Sequence, residues 1–170
     1  MKLRALIGAV AVAAILPVAA HADPATASDK ANGARACTAL KASMGATFAS
    51  TYANFGKCVS AWTRAAHQNR HEAQTACGAE KADAGFAPAH DGKTFDQYYG
   101  VGKQGRNALQ RCIQLKAQKA TSSERRSTVK AGKTCKAERA AMGAADFKTK
   151  YGGKANAFAK CVAALVKQSS

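Results

Sequence analysis

An all-α fold of three disulfide-stapled short helical hairpin repeats is what this 170-residue chain predicts. Three observations carry the expectation. Six cysteines fall as three pairs in three similar segments. Apolar residues around the second cysteine of each pair recur at three- and four-residue spacing, the period of a helix face. Alanine supplies 42 residues, and no stretch after residue 22 alternates apolar and polar side chains as a half-buried strand does.

The first element is expected to be removed before folding. Lys2 and Arg4 precede an apolar run from Ala5 to Ala20, and Ala20-His21-Ala22 has the small-x-small form of a signal cleavage site. The run is short for a bilayer span, and no later segment is apolar enough to cross a membrane. Residues 1–22 therefore read as a signal peptide, residues 23–34 as a mature N-terminal extension. The expected location is secreted, extracellular or associated with the cell envelope.

In an exported chain an even cysteine count favours disulfides over thiolate metal sites. Leu, Ile, Val and Phe supply only 16 of residues 23–170, which carry a net charge of +14. That balance of charge against bulk resembles a disordered chain. Cross-links would offset it by constraining the unfolded state.

Each repeat opens on a cysteine with a glycine eight positions later: Cys37 to Gly45, Cys77 to Gly85, Cys135 to Gly143. A Phe-x-x-x-Tyr pair follows: Phe48/Tyr52, Phe95/Tyr99, Phe147/Tyr151. Each closes on basic-Cys-β-branched: Lys57-Cys58-Val59, Arg111-Cys112-Ile113, Lys160-Cys161-Val162. The order of Phe, Tyr and Cys recurs three times, which alanine richness alone does not produce. Repeat 1 is expected over 35–72, repeat 2 over 73–120 and repeat 3 over 133–170. The polar run from Thr121 to Thr128 places a solvated linker at 121–132. Six cysteines allow fifteen pairings. The repeat favours local ones, Cys37–Cys58, Cys77–Cys112 and Cys135–Cys161. Whether the repeats stack or stand apart is left open.

Repeats 2 and 3 open with Cys-x-x-Glu, at Glu80 and Glu138, where repeat 1 has Leu40. A repeated carboxylate suits a structural role, either in an N-terminal helical turn or in a salt bridge to the closing Lys or Arg. The third repeat, with Tyr151-Gly152 and Asn156-Ala157-Phe158-Ala159-Lys160-Cys161-Val162, resembles a unit of small secreted actinobacterial proteins of unknown function. There the closing phrase usually carries glycine where this chain has Ala159. The likeness covers about residues 35–165. It implies export, and brings no activity, cofactor or catalytic residue with it.

The charge is uneven. Residues 23–102 sum to +1 and residues 103–170 to +13. Arg106, Arg111, Lys116, Lys119, Arg125, Arg126, Lys130, Lys133, Lys136, Arg139, Lys148, Lys150, Lys154 and Lys160 are the candidate polyanion-binding residues. Such a field attracts cell-wall or other extracellular polyanions. The same lysines also keep an alanine-rich protein soluble. Helix-turn-helix, zinc-finger and RRM patterns are missing, so sequence-specific nucleic-acid binding is not expected.

The leading expectation is a secreted non-enzymatic interaction module acting through its basic C-terminal half. The second is a small extracellular enzyme, metal-assisted through His67 and His71, which stand four apart on a helix face. That pair lacks an evident third ligand, and Arg64 and Arg70 oppose a bound cation. His90 lies in a loop with Pro88 and Gly92. No CxxC, CxxCH or glycine-rich phosphate loop occurs, so no cofactor and no catalytic residue is expected.

Overall fold

The computed structural model describes residues 23–102, 104–153 and 156–168 as eight helices, with no sheet among them. The signal-peptide reading of 1–22, and Lys154 of the basic set, lie outside the described residues.

Thr26 starts α1 (Ala27–Met44) through a capping box. Its hydroxyl accepts from the Asp29 N–H at 3.2 Å, and its own N–H donates to Asp29 Oδ2 at 2.9 Å. Gly45, at φ 54°, ends it. After α2 (Thr47–Tyr52), Asn54 caps α3 (Phe55–Ala82), its side chain accepting from Lys57 N–H at 2.9 Å. The short α4 (Phe86–Ala89) and α5 (Phe95–Tyr99) fill the long middle of repeat 2. The chain then forms α6 (Ala108–Met142), α7 (Ala144–Lys150) and α8 (Ala157–Gln168).

The three disulfides are Cys37–Cys58, Cys77–Cys112 and Cys135–Cys161, and all six sulfur-bearing residues are fully buried. They staple α1 to α3, α3 to α6 and α6 to α8. Neighbouring hairpins share their helices, however. α3 runs 28 residues and serves as both the closing helix of repeat 1 and the opening helix of repeat 2. α6 runs 35 residues and does the same for repeats 2 and 3. At 1.5 Å per residue these rods are about 42 and 52 Å long.

The solvated linker expected at 121–132 is helical throughout. Its two threonine hydroxyls do not compete with the helix because they bond within it. Thr121 Oγ1 donates to Ala117 O and Thr128 Oγ1 to Glu124 O, each at 2.9 Å. Both threonines are buried. Buried Asn69, midway along α3, donates through Nδ2 to Thr121 Oγ1 at 3.2 Å and to Glu124 Oε2 at 3.1 Å, tying the two rods at their centres.

Because α3 and α6 are antiparallel rods, repeats 1 and 3 meet at one end and repeat 2 stands at the other. Leu40, Met44, Phe48 and Trp62 of repeat 1 share one core with Phe147, Phe158 and Val162 of repeat 3. Repeat 2 has its own smaller core around Phe86, Phe95 and Ile113. The sequence explains the difference. Where repeat 1 has Met44 and repeat 3 has Met142, repeat 2 has exposed Ala84. Four residues beyond the closing cysteine stand Trp62, Lys116 and Leu165. Repeat 2 therefore lacks the large apolar groups with which the other two meet.

Candidate polyanion-binding groove

The repeated glutamates settle which cations are free. Glu80 lies in the last turn of α3 and Glu138 near the end of α6. The expected N-terminal-turn position is thus overturned: both sit at the end of the helix where the dipole disfavours a carboxylate. Tyrosine and lysine offset this. Tyr99 Oη donates to Glu80 Oε2 at 3.1 Å, and Lys116 Nζ to Glu80 Oε1 at 2.7 Å. Tyr151 Oη approaches both Glu138 oxygens, at 3.1 and 3.0 Å, and Lys150 Nζ reaches Oε1 at 2.6 Å. The ion pairs go to Lys116 and Lys150, not to the closing Arg111 and Lys160. In repeat 1, where Leu40 replaces the glutamate, Tyr52 Oη accepts from Trp62 Nε1 at 3.1 Å.

The Lys150 hydrogen bond holds the Glu138 carboxyl below its usual range. Burial, reinforced by the Glu80 carboxylate, pushes the Tyr99 phenol up to about 12. Lys116 and Lys150 are accordingly committed to their glutamates and are the weakest members of the basic set.

Arg125, Arg126, Lys130 and Lys133 come together. On α6 these positions and Val129 span one face of about 140° at 100° per residue. With Ala39 and Ser43 of α1 they line a hollow of about 450 Å³ floored by Ala39 and Val129. Arg125 also lines the adjoining hollow of about 220 Å³, where α1 contributes Asn32, Arg35 and Ala36. The two form a continuous α1/α6 groove carrying five cations. No described carboxylate lies within 4.0 Å of any of the five; the four ion pairs among the described residues use other groups. Glu124, next to Arg125 in sequence, points round the helix to Asn69.

Arg35 was not among the expected residues. It belongs to the near-neutral half, and only the packing of α1 on α6, repeat 1 against repeat 3, brings it to the groove. The remaining expected cations are scattered. Arg139 and Lys148 line a separate hollow of about 390 Å³ over Phe147 and Phe158. Arg111, Lys119 and Lys136 are exposed elsewhere on α6. Arg106 is exposed in the repeat 2 loop, its backbone paired with Val101. Lys160 extends its ammonium over Gly152.

The histidines are engaged structurally. His67 and His71 meet edge to face at 4.6 Å. Arg70 Nη2 lies 3.0 Å from His67 Nδ1, and Arg70 Nε lies 3.3 Å from Asp29 Oδ2. Burial pushes the Asp29 carboxyl up, but hydrogen bonds from Thr26 and the Arg70 guanidinium outweigh it and hold the group below its ordinary value. Among the described residues no group of three or more His, Cys, Asp or Glu is placed to hold a metal ion. His90 stacks on Phe86 at 3.9 Å, and its Nδ1 lies 2.8 Å from Phe86 O.

Compared with protein-family models, curated proteins and solved structures, the chain matches none.

Proposed function

We propose that the protein is a secreted, non-enzymatic module that captures extracellular or envelope polyanions in the α1/α6 groove. One observation carries the reading: five cations, Arg35, Arg125, Arg126, Lys130 and Lys133, line continuous hollows with no carboxylate within 4.0 Å among the described residues. Opposite charges usually disperse along a helix surface. Here Asp29, Glu80, Glu124 and Glu138 are drawn off to Tyr, Lys, Asn and Arg partners elsewhere, which leaves an unneutralised positive field along one channel. The signal-like residues 1–22 and the six paired cysteines support export.

Charge reversal in the full mature chain tests the reading. Arg125→Glu/Lys130→Glu and Arg139→Glu/Lys148→Glu change net charge equally but strike different hollows. On immobilised inorganic polyphosphate at low salt, the first pair should weaken binding about tenfold or more and the second far less. Equal losses would mean that net charge alone attracts the polymer, and the groove would have no special part.

A further inference from the structure

The groove continues beyond its cations and changes character. Towards the N-terminus of α1 it opens into a hollow of about 300 Å³. There α6 presents Gln110, Gln114 and Gln118, spaced four apart on one face. Opposite them α1 presents Ser28 and Asn32, also four apart. Asn32 and Gln118 line both this hollow and the one holding Arg35 and Arg125, so the surface is continuous.

The three glutamines are exposed, and none of their amides, nor that of Asn32, bonds to another described residue. Asp29 and Arg70 are the one acid and the one cation lining this hollow, and they pair with each other, Asp29 buried against Thr26 as well. The channel thus has a half without net charge, in which Arg70 is paired with Asp29 and every amide offers both donors and an acceptor, and a cationic half.

This two-part chemistry discriminates among polyanions. Inorganic polyphosphate presents the same charge at every step and only acceptors, so it can take the amide N–H groups but leaves every amide carbonyl without a donor. Single-stranded nucleic acid needs aromatic platforms for its bases, and no aromatic side chain lines any part of the channel. A polysaccharide presents hydroxyls, donor and acceptor at once, together with intermittent anionic groups.

We propose that the α1/α6 groove takes an extended anionic polysaccharide, with its hydroxyl-rich part on the Gln110/Gln114/Gln118 ladder and its anionic groups against Arg35, Arg125, Arg126, Lys130 and Lys133. The assignment rests on the polyanion reading above. Gln110 to Lys133 is 23 residues of α6, about 34 Å of track, enough for a chain rather than a single small anion.

The test uses the full mature chain and its Gln110→Ala/Gln114→Ala/Gln118→Ala variant. Alanine keeps the helix, and circular dichroism with a melting curve verifies the fold. Three probes are titrated at one ionic strength: a polyuronate of the alginate type, inorganic polyphosphate and single-stranded DNA. The variant should lose about tenfold or more on the polyuronate, the effect of three modest hydrogen bonds, and several-fold less on polyphosphate, which offers the amide carbonyls no donor. Equal loss on both polymers, or no loss on either, overturns the polysaccharide assignment while the cationic groove stands. So does a glutamine-dependent loss on DNA instead of polyuronate. Wild-type protein that binds none of the three overturns the polyanion reading itself.

Discussion

Gly33 and Gly78 both lie inside long helices, and replacing each with alanine should move stability in opposite directions. In α3, a Cβ at Gly78 would meet nothing within 4 Å. Gly78→Ala should therefore gain the helix propensity of alanine over glycine, about 1 kcal/mol. In α1, a Cβ at Gly33 would lie 2.8 Å from the Thr63 backbone N and 3.1 Å from Val59 O of α3. Backbone atoms cannot swing aside as a side chain can, so α1 must move off α3. Overpacking of this kind costs about 1–3 kcal/mol. The propensity term is common to both substitutions and cancels in their difference, leaving that cost as the gap between them. For a chain of this size about 1 kcal/mol is roughly 2–4 °C in Tm. Thermal and urea unfolding followed by circular dichroism at 222 nm would measure both. Parallel shifts, or a stabilised Gly33→Ala protein, would refute the close approach of α1 and α3.

Two further outcomes follow from the same contacts. Asp29→Asn should cost about 1–3 kcal/mol near neutral pH, the loss of charge-assisted hydrogen bonds to Thr26 and Arg70. Because the folded-state pKa lies below the ordinary 3.8, the Asp29 contribution is complete above that pH and fades as pH falls through the lowered value. The stability gap between wild type and variant should accordingly narrow on acidification in urea titrations. A gap that widens at low pH would contradict the assigned partners. Cys77→Ser/Cys112→Ser opens a bridge spanning 35 residues, for which chain entropy gives about 4 kcal/mol. Repeat 2 has no second core packed on it, so proteolysis should strike 83–107 first. Cleavage that begins in 45–54 would argue against its separate core.

The elements differ in how plainly the residues announced them. The disulfide pairing was legible because Phe48/Tyr52, Phe95/Tyr99 and Phe147/Tyr151 fix the register of each cysteine pair, and local stapling follows from that register. The run at 121–128 reads as a joint because serine and threonine hydroxyls can bond nearby backbone groups in a turn, as an alternative to the helix. Here Thr121 and Thr128 bond to carbonyls one turn back and are buried, and Thr121 also accepts from Asn69 of α3. The glutamate position was half legible. Repetition marks Glu80 and Glu138 as structural, but their tyrosine partners stand 19 and 13 residues away, and no local period brings them together.

The groove was half legible too. Arg125, Arg126, Lys130 and Lys133 advertise one helix face. Arg35 and the Gln110/Gln114/Gln118 ladder gain meaning only when repeats 1 and 3 share a core and α1 is laid along α6. That contact joins residues about ninety apart in the chain. It depends on Met44 and Trp62 meeting Phe147 and Phe158 in one core, rather than on any spacing within one repeat.

Salt dependence of polyphosphate binding measures the central claim most directly, because its slope counts the cations engaged. With the coefficient for flexible single-stranded polyanions, five contacts give a log–log slope of about −3.5 and an affinity loss of about fiftyfold between 50 and 150 mM salt. Arg125→Ala/Lys130→Ala should lower the slope to about −2.1, a loss of about tenfold over the same range. Arg139→Ala/Lys148→Ala should leave the slope near its wild-type value. A slope that responds equally to both pairs, or to neither, would contradict a polyanion seated between α1 and α6.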